Sequence, residues 1–140
     1  MEILFKAQRV DNNEWIYGYY MKQCDKHIIV DTTCGSLGFG VLVKEETVCQ
    51  YANLIDSEKN KIYQNDIVEL CDKNSKVCWK AVVIFGNPYG NYSWGWELKY
   101  IGNNPHINTD ILCWVEMEET GAFCKVVGNI FDKEKENDIK

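Results

Sequence analysis

The chain has few of the residues that mark several common functional classes. Of its 140 residues two are proline and two are histidine, and its one arginine is Arg9. The net charge of −6 and the absence of any Lys or Arg run argue against a duplex-DNA binder, because such proteins neutralise phosphates with a basic face. The longest apolar runs, such as 81–85, span five or six residues, whereas a membrane helix needs about 20. We therefore expect neither duplex DNA nor a membrane as a partner.

The cysteine count and the N-terminus together bear on the compartment. Residues 1–6 lack a positive segment followed by an apolar core and a cleavage site, so they do not resemble a secretory signal. Seven cysteines without such a signal favour reduced thiols over a disulfide framework. We expect a cytoplasmic protein in which Cys49, Cys113 and Cys124 act as small buried apolar side chains.

Alternation of apolar and polar residues dominates the sequence, and helical periodicity is nearly absent. The first two strands are predicted at 3–10 and 15–22, joined by an Asp-Asn-Asn turn. The polar segment 56–61 is predicted to be an exposed turn. Further strands are predicted at 28–31, 38–44, 45–51, 66–71, 77–86, 92–100, 111–117 and 124–131. Short strands with turns between them indicate an all-β barrel or sandwich.

Two of these strands carry aromatic side chains on one face. In the second strand the members are Trp15, Tyr17, Tyr19 and Met21, and in the strand at 92–100 they are Tyr92, Trp94, Trp96, Leu98 and Tyr100. Such a stripe is more often core or a subunit interface than a ligand platform, since aromatic side chains dominate both. Stacking of bases or sugars is the alternative. We expect an interaction surface that contains Tyr92, Trp94, Trp96 and Lys99.

The sequence offers little for metal or nucleophilic chemistry. Cys24 and His27 form a C-x2-H unit, a spacing that some zinc sites use. A structural zinc site normally has two close pairs, yet Cys71 and Cys78 are seven apart and His106 is isolated. No nucleophile lies in a recognisable catalytic context. We expect no catalytic residue, no bound metal and no cofactor.

Asp66 is the acid with the clearest place in a pattern, directly before an apolar strand. As a catalytic acid it would need a partner, but Glu69, three residues later in the same strand, points to the opposite face. We therefore interpret Tyr63, Asn65 and Asp66 as a turn-shaping motif in which Asp66 accepts backbone N–H bonds. Replacing Asp66 with Ala is then expected to cost about 0.5–2 kcal/mol, as for other short polar caps.

Three motifs resemble the signature of the YopX family of phage and prophage proteins. EWIYGYYMK (14–22) is similar to the family's N-terminal Trp-x-Tyr-Gly strand, and VVGNIFDK (126–133) is similar to its closing motif. The resemblance spans residues 3 to 133 in the expected order. The central motif matches at Gln50, Tyr51, Leu54, Ile62, Tyr63, Asp66, Ile67 and Val68.

The resemblance implies a fold but no activity. It implies an all-β protein with few or no helices, in which an N-terminal β-hairpin region (1–48) packs on a small SH3-like β-barrel (49–132). Residues 133–140 are mostly charged, so we expect a disordered tail there. Ala52, Asn53 and Asn65 depart from the signature, which usually has Thr, Gly and Gly there. Asn tolerates left-handed backbone best after glycine, so a turn at Asn65 survives the exchange.

These observations lead to one expected function and one alternative. We expect a phage- or prophage-derived accessory protein, cytoplasmic in its bacterial host, that is not an enzyme. It would act through protein–protein contacts, as a homo-oligomer or with an unknown host or phage protein. The alternative is a nucleic-acid or nucleotide-binding small β-barrel module, which rests on fold analogy alone. In that alternative Trp94 and Trp96 stack on bases and Lys99 contacts phosphate.

Overall fold

The structure is a computed structural model and describes residues 3–31, 40–72, 77–86, 95–102, 109–116 and 122–132. The described residues include a 3-10 turn at Glu45–Thr47 and a short helix, α1 (Ile111–Glu116). Their strands are β1 (Phe5–Gln8), β2 (Trp15–Gln23), β3 (Lys26–Asp31), β4 (Gly40–Leu42), β5 (Cys49–Ile55), β6 (Lys61–Tyr63), β7 (Asp66–Asp72), β8 (Val77–Gly86), β9 (Gly95–Ile101) and β10 (Ala122–Asn129).

The strands form two antiparallel sheets, which confirms the predicted all-β class. Sheet 1 has the order β4-β3-β2-β1-β5-β6, and sheet 2 has the order β10-β7-β8-β9. Neither sheet closes on itself within the described residues, so the SH3-like barrel is not confirmed. In the same part of the chain, no helix has the length and apolar character needed to cross a membrane.

The chain divides into two compact units, Met1–Asn53 and Leu54–Lys140. The division falls inside β5, because the first residues of that strand pair with β1, where Lys6 lies opposite Cys49. The boundary expected between 48 and 49 lies at the start of this strand. The tail expected at 133–140 lies outside the described residues.

The first unit is built from antiparallel hairpins. β1 and β2 form the predicted hairpin, in which Gln8 lies opposite Trp15. Asn13 in the connecting turn has φ 62°, a left-handed conformation that short polar residues tolerate well. The next hairpin joins β2 to β3 through Cys24 and Asp25, which also have positive φ values.

The alternation along β2 decides which side of the sheet faces the core of this unit. Ile16 belongs to a buried cluster with Ala7, Ile29 and Val43. Gly18 lies on the same side of β2 and is also buried. A Cβ atom on Gly18 would lie 2.0 Å from the backbone oxygen of Val30 in β3, so only glycine fits there. On the other side of β2, Tyr17, Tyr19 and Met21 are exposed.

The second unit has a larger apolar core that sheet 2 and α1 share. Its strands and helix contribute alternate side chains, because successive residues of a strand point to opposite faces. The buried members are Ile62, Val68, Leu70, Ala81, Val83, Leu98, Ile111, Trp114 and Cys124.

The prediction of a strand at 111–117 is wrong, because Ile111–Glu116 is helical. The helix begins directly after Asp110, whose Oδ1 accepts a hydrogen bond at 3.0 Å from the N–H of Leu112, as in an N-cap. Ile111 and Trp114, three positions apart, lie on one face of the helix and are both buried in the core. A short apolar run has no period long enough to distinguish a helix from a strand.

The expectation of reduced thiols is also wrong for one pair of cysteines, since Cys71 and Cys78 form a disulfide. Their spacing of seven residues did not indicate a bond in the sequence, because spacing alone does not show which cysteines are close in space. The hairpin register explains the bond, since these two residues lie directly opposite each other in β7 and β8. Cys49 and Cys124 are buried, reduced thiols as predicted, whereas the side chain of Cys113 lies outside the described part.

Candidate functional site

The turn before β7 is shaped by the residues that the central motif singled out. Asn65 has φ 69°, a left-handed conformation. Asp66 is fully buried, and its Oδ2 accepts a hydrogen bond at 2.8 Å from the backbone N–H of Tyr63. The Asn65 N–H donates at 2.7 Å to the Val83 carbonyl, which ties the turn to β8. These contacts make the turn part of the core of the second unit.

The closing motif meets the central motif at this turn. The other carboxyl oxygen of Asp66, Oδ1, accepts a hydrogen bond at 2.9 Å from the side-chain amide of Asn129. The backbone N–H of Ile130 donates to the Asn65 carbonyl at 3.0 Å. A register shift between Val126 and Gly128 precedes this contact and bends β10. The two motifs, far apart in sequence, therefore form one hydrogen-bonded junction.

Asp56 is a second buried acid, which the sequence analysis missed. The segment 56–61 was predicted to be an exposed turn, and Glu58, Lys59, Asn60 and Lys61 are indeed exposed, but Asp56 is only 3% exposed. Its Oδ1 accepts the N–H groups of Glu58 at 2.9 Å and Asn60 at 2.8 Å. Its Oδ2 accepts the N–H of Val126 at 2.9 Å. The clue in the sequence is the Asp-x-x-x-Asn turn pattern, although it does not reveal the contact with β10.

The same turn covers the outer edge of β10. Ser57 donates its N–H to the Cys124 carbonyl at 2.8 Å, and its Oγ accepts the Cys124 N–H at 3.1 Å. An edge strand with free N–H and C=O groups is a template for pairing with another chain. The contacts of Asp56 and Ser57 therefore block part of this edge.

Two of the four residues expected to form an interaction surface, Trp96 and Lys99, are described, and they lie on opposite faces of sheet 2. Trp96 faces the core of the second unit and packs edge-on against Phe85, at 5.3 Å between ring centroids. Lys99 lies opposite Val82 on the other face of sheet 2 and is exposed. Tyr92 and Trp94 lie outside the described residues.

The other described members of that aromatic face, Leu98 and Tyr100, also pack toward the core. Leu98 is 2% exposed, and Tyr100 packs against the buried cluster. The Tyr100 hydroxyl accepts a hydrogen bond at 3.0 Å from the indole N–H of Trp114 in α1. The described part of this stripe therefore packs inward.

An exposed apolar surface lies on β2, in the other stripe that the sequence contains. Tyr17 is 47% exposed, Tyr19 55% and Met21 45%. The surface continues across the sheet, because Tyr19 lies opposite Val30, and Met21 lies opposite Ile28, which pairs with the exposed Leu42. We call this surface the β2 stripe; its members are Tyr17, Tyr19, Met21, Ile28, Val30 and Leu42.

The two residues of the C-x2-H unit lie in different surroundings. Cys24 is exposed in the β2–β3 turn, whereas His27 lies in β3, where its ring contacts Tyr20 and Glu45. The Nδ1 atom of His27 is 2.5 Å from the Tyr20 hydroxyl, and its Nε2 atom is 3.4 Å from Glu45 Oε2. These contacts hold the imidazole within the first unit. His106 lies outside the described residues.

Another set of possible ligands does converge, in the second unit. One donor atom each from Glu69, Cys71 and Cys78 lie within 4.8 Å of one another. Cys124, by contrast, is an inert thiol. Burial raises its pKa to about 12, and the nearby Asp56 carboxyl adds to the rise.

Comparison with known proteins gives one result. No curated protein and no solved structure matches the sequence. The model of one family, described as YopX protein, matches residues 4–135, which is nearly the whole chain. The chain therefore belongs to the YopX family.

Proposed function

We propose that this protein is a phage- or prophage-derived accessory protein that has no catalytic role and acts by protein–protein contact. The occupant that we assign to its contact surface is a second copy of the same chain. The observation that carries this proposal is the β2 stripe. It is an exposed apolar surface that extends over three neighbouring strands.

The composition of the β2 stripe favours self-association. Its outward members are tyrosine, methionine and aliphatic side chains, and none of them is charged. A surface without charge can pack against its own copy across a two-fold axis without placing like charges together. Antiparallel sheets pack face to face in this way, with interdigitating side chains. Contiguous exposed apolar patches are typical of interaction sites.

The absence of catalysis is part of the same proposal. His27, the histidine in the described part, contacts Tyr20 and Glu45 through its two ring nitrogens. Asp56 and Asp66 are buried and accept hydrogen bonds from backbone and amide groups. Such contacts support structural roles for these acids, because a catalytic acid must reach a substrate.

The oligomeric state tests the proposal, with Tyr19→Lys as the key variant. Tyr19 lies within the stripe, so a lysine there places two like charges at a two-fold contact. We expect a dimer at micromolar concentration and a dissociation constant that rises at least about tenfold in the variant, or about 1.4 kcal/mol. Sedimentation velocity over a concentration series measures both.

Ile101→Lys is the matched control, because Ile101 is similarly exposed, at 52%, but lies in β9 of the other unit. It should leave the dimer intact. A wild-type protein that stays monomeric throughout the series would contradict the proposal. Equal dissociation by both variants would contradict the choice of surface.

The alternative of nucleic-acid binding has less support. Trp96 and Lys99 lie on opposite faces of β9, so they do not offer a stacking ring and a cation to one strand of nucleic acid. The net charge of −6 also opposes binding to phosphates. Titration of labelled single-stranded DNA and RNA at about 50 mM salt tests it. Salt-dependent binding would favour this alternative over self-association.

A further inference from the structure

The outer face of the β7–β8 hairpin brings together two sulfur atoms and a carboxyl group. Cys71 and Cys78 are directly opposite each other in the register. Glu69 lies two residues before Cys71 in the same strand, so its side chain points to the same face. The three donor atoms lie within 4.8 Å of one another. This set is independent of the β2 stripe, which lies in the first unit.

Exposure differs within this set. Cys71 is buried, at 3% exposure, whereas Cys78 is exposed and Glu69 is half-buried. A dissolved thiol therefore has access to the Cys78 sulfur, and the Cys71 sulfur is shielded. An exposed and a buried cysteine in one bond allow thiol–disulfide exchange to start at a single sulfur.

We propose that Glu69, Cys71 and Cys78 form a redox-gated site for one thiophilic divalent cation of the zinc class. In the reduced protein the two thiolates and the carboxylate bind the cation. Zn²⁺ accepts such mixed sulfur and oxygen ligands in a tetrahedral arrangement, and three protein ligands leave the fourth position to water. The disulfide is the metal-free state, because only a deprotonated thiol acts as the ligand.

The two states interconvert by a balanced exchange with a low-molecular-weight disulfide. The zinc-loaded dithiolate, one such disulfide and two protons yield the Cys71–Cys78 disulfide, two small thiols and free Zn²⁺. The two cysteine sulfurs are oxidised by two electrons, and the small disulfide is reduced by two. Reduction by two equivalents of a small thiol reverses the exchange.

The charges around the site suit a cation bound by three anionic groups. Two thiolates, one carboxylate and Zn²⁺ sum to a single negative charge. Lys80 on β8 and Lys125 on β10 lie directly opposite Glu69, one on each side of β7. The Lys125 Nζ atom also lies 3.6 Å from Glu58 Oε2, so part of the positive charge of Lys125 is offset by Glu58. The two lysines therefore offset the remaining negative charge without occupying a ligand position.

Cobalt binding tests the proposal, because Co²⁺ takes the place of Zn²⁺ and absorbs light. The full chain is reduced with a phosphine and titrated with CoCl₂ under anaerobic conditions. We expect a thiolate-to-cobalt charge-transfer band and the visible bands of tetrahedral Co²⁺, saturating at one cation per chain. The oxidised protein should give neither band. Zn²⁺ should displace the Co²⁺ and abolish the absorption.

Three variants separate this site from the other thiols. Cys78→Ser should remove the charge-transfer band, and it should fold normally because Cys78 is exposed. Glu69→Gln should keep the band but weaken cobalt binding at least about tenfold, because it replaces an anionic ligand with a neutral amide and even residues outside the ligand set affect affinity by that factor. Cys24→Ser, which removes an exposed free cysteine of the first unit, should change nothing. Circular dichroism confirms that each variant is folded.

Three results would overturn the proposal. The first is a reduced wild-type protein that shows no charge-transfer band. The second is a band that persists in folded Cys78→Ser, which would place the cation on other cysteines. The third is equal binding by the oxidised protein, which would refute the redox gating.

Discussion

Asp66 and Asn129, 63 residues apart in sequence, are joined by a hydrogen bond of 2.9 Å between Oδ1 and the side-chain amide nitrogen. They are direct partners in the ladder between β7 and β10. Both residues are buried, with exposed fractions of 0% for Asp66 and 4% for Asn129. The central and closing motifs of this sequence thus meet in one contact, which fastens β10 to β7 at one end of sheet 2.

Replacing Asp66 with Ala should destabilise the protein strongly. The substitution leaves the Tyr63 N–H and the Asn129 amide without this acceptor inside the core, and each such loss costs about 1–3 kcal/mol. We expect the free energy of unfolding to fall by about 2–4 kcal/mol, more than the 0.5–2 kcal/mol that the cap analogy suggests. Urea denaturation followed by tryptophan fluorescence measures the change.

Two further variants calibrate this value. Asp66→Asn preserves the shape and one acceptor oxygen, so it should cost less than Asp66→Ala. Glu46→Ala removes an exposed acid of the first unit and should change stability by no more than about 0.5 kcal/mol. A cost for Asp66→Ala as small as that of Glu46→Ala would show that the junction contributes little.

Gly18→Ala should destabilise the first unit, because the new Cβ would lie 2.0 Å from the Val30 oxygen. Backbone atoms cannot move aside without breaking the β2–β3 ladder, so we expect a loss of at least about 2 kcal/mol. Gly95→Ala is the matched control, since a methyl group there would meet no atom within 4 Å. Thermal unfolding by circular dichroism compares the two. A Gly18→Ala protein as stable as Gly95→Ala would contradict the packing of β2 on β3.

Asp56→Ala should open the outer edge of β10. The Val126 N–H loses its acceptor in this variant and becomes accessible to water. We expect hydrogen exchange to accelerate more at the Val126 amide than at the amide of Val83, a buried residue of β8. Native-state exchange followed by NMR resolves the two amides. Equal acceleration at both would mean that the variant unfolds globally rather than at the edge.

Cys124 should resist alkylation in the folded protein at about pH 8.5, while the exposed Cys24 reacts. Burial, with the Asp56 carboxyl nearby, raises the pKa of the Cys124 thiol to about 12, so almost no thiolate forms at this pH. Iodoacetamide labelling followed by peptide mass mapping measures both sites. Labelling of Cys124 at the rate of Cys24 without unfolding would contradict its burial.

The same shift in pKa predicts a dependence of stability on alkaline pH. Below the ordinary thiol pKa of 9.0, Cys124 is protonated in both the folded and the unfolded chain. Between pH 9.0 and about 12 the Cys124 thiol ionises in the unfolded chain only, so the folded state loses stability as the pH rises. The difference in unfolding free energy between wild type and Cys124→Ala should therefore shrink from about pH 8 to about pH 10.5. A constant difference would contradict the shift.

Local sequence patterns predicted the parts of the fold that depend on neighbouring residues. The Asp-Asn-Asn turn and the alternation around it indicated the β1–β2 hairpin, because turn chemistry and a period of two are local properties. The helix at 111–116 was missed because six residues contain less than two helical turns. The disulfide was missed because the pairing of Cys71 with Cys78 depends on the strand register.

The sequence by itself determined the family, the all-β class and the left-handed turn residue Asn65, since these follow from motifs and backbone preference. Only the tertiary structure decided which of the two aromatic stripes is core, because both strands alternate equally well. Leu98 is buried in the core that sheet 2 and α1 share, and Tyr100 packs against that core, whereas Tyr19 on β2 is exposed. Only the tertiary structure placed the Asn129 amide on Asp66, a contact between residues that no local pattern connects.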